Sequence, residues 1–113
     1  MSENYSELRS RLQGLAKKFG GAQPSTMQAF AKLHHSALDA GALDTKTKEL
    51  IAIGIAITSH CKGCLSYHVK DALNAGATAK EIEEAIGVAI LMGGGPAVIY
   101  GCEAMEALEE FSS

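Results

Sequence analysis

Cys61-Lys62-Gly63-Cys64, with His68 four residues further on, is the stretch of this 113-residue chain whose residue types and spacing could do chemistry. Two thiols two residues apart can close a reversible disulfide, and an imidazole one helical turn on can move the accompanying proton. If the segment opens a helix, Cys61, Cys64 and His68 fall at i, i+3 and i+7 and share one face. Cys61 then sits in the first turn, where unpaired backbone N–H groups and the macrodipole favour a thiolate, and Lys62 adds a positive charge. His68 can take the proton of Cys64 or stabilise its thiolate. The ring closed by a CxxC disulfide is short, gains little from loop-closure entropy and is readily reduced, as a turnover disulfide must be.

Two other uses of the cysteines stay open at this point. A structural zinc site needs a second ligand pair at tight spacing. His34, His35, His60, His68 and Cys102 provide none. Two buried, inert thiols are the other alternative, because free cysteine often fills helical cores. A thioredoxin-like arrangement requires a βαβ setting, and strand signals are nearly absent. Glu49 has two readings as well. Either it only complements the dipole at the start of an apolar helix, or it is a partly buried carboxylate that orients His68 and relays its proton.

These residues must be positioned by helices, for the chain reads as helix from end to end. Leu8, Leu12, Leu15 and Phe19 mark a first helix over roughly Ser6 to Phe19, stopped by Gly20-Gly21. Ser25 with Gln28 predicts a capping box for a second, carrying Met27, Phe30, Leu33 and Leu38 and ending by Gly41. A third starts near Asp44 or Thr45 and runs to about Thr58. Ser59 is the expected N-cap of the fourth, which reaches Asn74. Thr78 with Glu81 is another capping box, opening a fifth helix to Met92. Gly93-Gly94-Gly95 breaks that helix, and Pro96 starts a sixth ending near Phe111. The expectation is one all-α domain over 1–113 with about six helices.

Leu50 to Ile57 is apolar almost all round, and the fifth helix is nearly so, with Ile82, Ile86, Val88, Leu91 and Met92. A chain of this length can wrap one such helix but is strained by two, which predicts a homo-oligomer that shares the surplus between subunits. The net charge of −3 gives no electrostatic case for nucleic acid or an anionic membrane surface. The N-terminus from Met1 to Glu7 is polar and acidic, unlike an export signal, and Leu50 to Ile57 is too short to span a bilayer. A cytoplasmic location follows as an expectation. Three cysteines in that compartment are no disulfide framework.

Several residues are set aside. His34-His35 lies near a helix end, where histidine suits the dipole, and adjacent residues point to different faces, which disfavours a shared metal. Cys102 is expected in the core with Val98, Met105 and Leu108. The Gly93-Gly94-Gly95 run follows a helix and lacks a downstream Lys-Ser or Lys-Thr, so a close helix turn is expected and not a phosphate cradle. Tyr67 is assigned to packing and His60 to solvent.

Lys46-Thr47-Lys48-Glu49-Leu50-Ile51-Ala52-Ile53, then Cys61-x-x-Cys64-x-x-x-His68, then Ala75-Gly76-Ala77-Thr78 with Glu81-Ile82, then Gly93-Gly94-Gly95-Pro96, resembles the AhpD-like alkylhydroperoxidase branch of the carboxymuconolactone decarboxylase family. The resemblance runs from Ala42 to Tyr100. It implies an AhpD-like helical fold, trimers or hexamers, and thiol-dependent reduction of hydroperoxides without a cofactor or metal. It also implies an electron donor carrying lipoyl or thiol groups. By the resemblance Cys64 attacks the peroxide, Cys61 resolves the sulfenic acid as a disulfide, and Glu49 and His68 form the proton relay. The residues alone leave the order of the thiols open. Some relatives carry a second histidine between the cysteines, where this chain has Gly63. Two alternatives stand beside the peroxidase: a non-catalytic, redox-sensing helical assembly, and a lactone decarboxylase, which would have no use for two thiols.

Overall fold

The computed structural model describes residues 3–113. Met1 and Ser2, part of the polar N-terminus weighed above, lie outside the described residues. Six helices follow one another with short turns: α1 (Tyr5–Ala22), α2 (Pro24–Leu38), α3 (Thr45–Thr58), α4 (Lys62–Asn74), α5 (Ala79–Gly93) and α6 (Gly95–Ser112). No strand interrupts them among the described residues, and none is long and apolar enough to cross a membrane.

Several boundaries follow from local chemistry. The Thr78 side chain accepts the Glu81 backbone N–H while the Glu81 carboxylate accepts that of Thr78, which closes the expected capping box of α5. Asp44 caps α3 by accepting the Thr47 N–H at 2.8 Å. At the N-terminus, Asn4 and Glu7 form a further capping box, and the Glu110 carboxylate from the end of α6 accepts the backbone N–H groups of Tyr5 and Ser6 at 3.0 and 2.7 Å. A carboxylate at a helix N-terminus meets both unpaired donors and the positive end of the dipole.

Other boundaries depart from expectation. Gly20-Gly21 does not stop α1, which continues to Ala22. The proline after Gln23 then starts α2 directly, so Ser25 lies inside the first turn and no side chain caps that helix. Proline at N1 has its φ pre-set and no N–H to satisfy, and the chain needs no capping hydroxyl there. Helix α2 also ends earlier than Gly41, at Leu38.

The core lies among α3, α4, α5 and α6. Ile53, Ile57, Leu65, Val69, Ile82, Ala104 and Ala107 have essentially no exposed surface, and Tyr5 and Leu8 extend this core from α1. Glycine sets how closely these helices approach. A Cβ on Gly93 would come within 2.7 Å of the Ala97 side chain and 3.2 Å of Thr58, so the Gly-rich corner is a close helix turn as expected. Gly94 completes it with φ +71°.

One expectation about burial fails. Cys102 is exposed, because the inward stripe of α6 is Ala97, Gly101, Ala104, Ala107 and Leu108, and position 102 lies off it. The apolar helices α3 and α5 are covered on one side only. Ile51, Ile55, Val88, Leu91 and Met92 remain exposed, and an open groove of about 400 Å³ runs between the two helices.

Candidate active site

The turn from α3 to α4 builds the site. His60 has φ +59°, and the Cys61 N–H reaches back to the Ala56 carbonyl at 2.9 Å, so α3 closes with a left-handed cap. Histidine is tolerated in that conformation at a cost of about 1 kcal/mol relative to glycine. The His60 ring lies outside, stacked on Tyr100 of α6 with centroids 4.6 Å apart. Cys61 is itself the N-cap of α4, in place of the expected Ser59, and its sulfur accepts the Cys64 N–H at 3.1 Å. One residue therefore ends one helix with its backbone and begins the next with its sulfur.

Cys61 and Cys64 are joined by a disulfide with Cα atoms 5.2 Å apart. Both cysteines and His68 border one cavity of about 700 Å³. Nδ1 of His68 lies 2.7 Å from Oε1 of Glu49, which projects from α3 and is 4 % exposed. A buried carboxylate at that distance holds the Nδ1–H tautomer and leaves Nε2 as the basic nitrogen. The structure thus brings Glu49 to His68, and His68 to the cavity of the two cysteines.

Around this pair the charges are spent on one another. Asp71, one turn beyond His68, forms an ion pair with Arg9 of α1 at 3.0 Å, and the Arg9 guanidinium lies 5.6 Å from the centre of the Tyr67 ring. Among the described residues, Glu49, His68 and Asp71 form the group close enough to share a cation, within 4.8 Å of one another. Neither cysteine belongs to it, and Arg9 already neutralises Asp71, so the set fits an ion-pair network better than a zinc clip. Lys62, expected to support the thiolate, instead lies 3.9 Å from Glu103 and 5.4 Å from the centre of the Tyr5 ring. The Tyr5 hydroxyl donates to Glu103, and burial first, then that carboxylate, hold its pKa far above the ordinary tyrosine range.

The rest of the cavity wall is apolar and comes from the first two helices: Leu12, Leu15, Ala16 and Phe19 of α1, Met27 and Phe30 of α2. Gly63 faces the same space, and a Cβ there would sit 2.9 Å from the Leu12 side chain. A side chain at this position would have to push the tip of Leu12 aside. His34 also lines this cavity, its ring roughly parallel to that of His68 with centroids 6.4 Å apart. Reading His34 as an ordinary helix-end histidine missed this placement. A signal was available: Met27, Phe30 and His34 fall at i, i+3 and i+7, one stripe of α2.

The chain is thus all-helical, with a Cys-x-x-Cys disulfide at a helix start and a carboxylate-bound imidazole beside the same cavity. Residues 24–107 match the model of the carboxymuconolactone decarboxylase family, and this chain belongs to that family. It is similar to a family protein from Legionella pneumophila, with a TM-score of 0.94 and 40% identity over 96% of this chain and 97% of that one. A Thermotoga maritima member, for which a part in the antioxidative response has been suggested, gives a TM-score of 0.71 and 31% identity over 77% and 74% of the two chains. An uncharacterized protein of Cupriavidus necator is 35% identical over 102 residues, 88% of this chain and 90% of its own length.

Proposed function

We propose that this protein reduces organic hydroperoxides to alcohols with the Cys61/Cys64 dithiol, as an AhpD-like antioxidant peroxidase of the cytoplasm. The observation that carries this reading is that the disulfide and the Glu49-bound imidazole of His68 open on one apolar cavity. An apolar wall suits the organic part of such a substrate, and a single polar corner suits its peroxide group.

In the reduced protein, Nε2 of His68 takes the Cys64 proton, with Glu49 holding the imidazolium. The Cys64 thiolate attacks the terminal oxygen of ROOH. An S–O bond forms, the O–O bond breaks, and the departing alkoxide takes the proton from His68 to leave as ROH. Cys64 is oxidised to the sulfenic acid. The Cys61 sulfur, favoured as an anion by the Cys64 N–H and the helix terminus, then attacks the Cys64 sulfur. Hydroxide leaves with the proton Cys61 has given up, as water, and the disulfide closes. A donor dithiol, of the lipoyl or thiol type, restores both thiols by exchange.

The same reading includes a homo-oligomer, a trimer or hexamer, in which further copies cover Ile51, Ile55, Val88, Leu91 and Met92. Sedimentation at micromolar concentration checks that part, and a stable monomer would contradict it. The activity is tested by following organic hydroperoxide consumption with dihydrolipoamide as reductant. The wild type turns over repeatedly, whereas Cys61→Ser and Cys64→Ser do not. Full turnover by both variants would sink the reading, and a single slow oxidation without cycling would leave a redox sensor in its place.

A further inference from the structure

The cavity above the disulfide has a bare polar complement. Of the side chains that line it, only His34, Tyr67 and His68 carry nitrogen or oxygen. A hydroperoxide has two oxygens, and its reduction turns one into an alkoxide that must be met by a proton or a hydrogen-bond donor as the O–O bond breaks. His68 has Nδ1 committed to Glu49, so a single nitrogen is left for the reaction. That nitrogen must accept the thiol proton and cannot at the same moment hold the peroxide by donation. The Tyr67 ring belongs to α4 and lies beneath Arg9. Gly63, between the cysteines, offers no side chain, and Leu12 occupies the space where one would begin.

His34 reaches the same cavity from α2. Its ring runs within 21° of parallel to that of His68, with centroids 6.4 Å apart. At that separation the two rings cannot hydrogen-bond to each other directly, and both border the cavity in which a substrate would lie. We propose that His34 is a substrate-contacting residue of the peroxide reaction: its imidazole N–H holds the peroxide oxygen that becomes the alkoxide, while His68 serves the attacking thiol. The inference rests on the hydroperoxide reading above. It adds a division of labour, in which the base stands on the packed helices and the oxygen-binding donor on α2. In the balance of the step, Cys64 still loses the proton and the alkoxide still gains one. His34 lowers the charge on that oxygen until His68 delivers it.

The test is a rapid-mixing comparison of the prereduced wild type, His34→Phe and His34→Gln against two oxidants. One is cumene hydroperoxide. The other is an aromatic disulfide, dithiobis-nitrobenzoate, whose leaving thiolate is stable without a proton and needs no donor. Phe keeps the ring and removes the N–H, and Gln keeps a donor. The expected result is a loss of about 10-fold or more in the hydroperoxide rate for His34→Phe, partial recovery in His34→Gln, and equal rates for all three proteins with the disulfide. A His34→Phe rate equal to wild type with the hydroperoxide overturns the proposal. Equal slowing with both oxidants also overturns it, since the side chain would then act on the thiols or their setting. A wild type that does not react with the hydroperoxide, yet reacts with the disulfide, brings down the peroxidase reading itself and this inference with it.

Discussion

Helices α3 to α6 and the α1–α2 arm both carry large apolar side chains, but nearly all of the core is built from the former. In the former, Ile53, Ile57, Leu65, Val69 and Ile82 have no exposed surface. In the latter, α2 contributes no buried residue at all, and α1 is anchored only near its start by Tyr5 and Leu8. Phe19, Phe30 and Leu33 are half exposed or more, at 50%, 57% and 62%. The chemistry follows the same division. Glu49, Cys61, Cys64 and His68 stand on packed elements, which hold the pair of 2.7 Å in place. Leu12, Phe19, Met27, Phe30 and His34, which shape the space above the thiols, stand on the loosely held arm. Precise groups are placed where packing over-determines them, and adjustable walls where it does not.

Mutation can break that comparison, beginning with the largest expected effect. Leu65→Ala removes a fully buried side chain and costs about 2–5 kcal/mol in chemical denaturation. Phe30→Ala in the same assay costs less than about 1 kcal/mol, because the ring is already mostly in water. Similar losses for both would show that the arm is as tightly built as the rest.

Next in size is Glu49→Gln. The amide keeps a hydrogen bond to His68 but no charge to hold the imidazolium, so the peroxide rate falls roughly 10²-fold while the far-ultraviolet circular dichroism stays that of the wild type. A smaller effect belongs to the arm. Phe19→Ala and Phe30→Ala each lower kcat/KM for cumene hydroperoxide by about 10-fold, the equivalent of losing part of one aromatic contact, and leave that for hydrogen peroxide unchanged. Equal losses on the two substrates would show that the arm does not select for the organic group.

How much of this was legible in the sequence divides along the same line. The helices could be read because their signals are local: the Thr78–Glu81 box, the Asp44 cap, the glycine corner before Pro96. The dithiol and its histidine could be read because they lie within two turns of one helix. What escaped depends on distant partners. Apolar periodicity shows that one face of α2 is greasy, but what covers that face is decided elsewhere in the chain, so exposed Phe30 and core Leu65 look alike on paper. His34 meets His68 across 34 positions of sequence. Periodicity sets Cys102 inward with Val98, Met105 and Leu108, whereas the inward stripe joins Leu108 to the small residues Gly101, Ala104 and Ala107, which let α6 close on its neighbours. Serine is the better capping residue and favours Ser59 as the cap of α4, yet the left-handed turn at His60 carries the cap two residues on, to the sulfur of Cys61.

The smallest expected effect concerns acid. Asp44 and Glu81, at the starts of α3 and α5, have carboxyls held below their ordinary values of 3.8 and 4.5, the first by hydrogen bonds from Thr47 and the second chiefly by Lys46. A depressed native pKa gives stability that is present above the unfolded value and lost as pH falls through the native one. Below about pH 4, urea denaturation should therefore show a slight fall in midpoint, reduced in Glu81→Gln. Both groups are exposed, so the change is small, and its absence would mean that solvent screens these caps completely.

The central claim is that the dithiol on the packed helices reduces hydroperoxides. It is tested most directly by mixing fully reduced protein with excess cumene hydroperoxide, with no other reductant, and counting both alcohol formed and thiols remaining at Cys61 and Cys64. One equivalent of alcohol per subunit is expected, together with loss of both thiols to one intramolecular disulfide. Thiols that survive the treatment, or that disappear without a matching equivalent of alcohol, would contradict it.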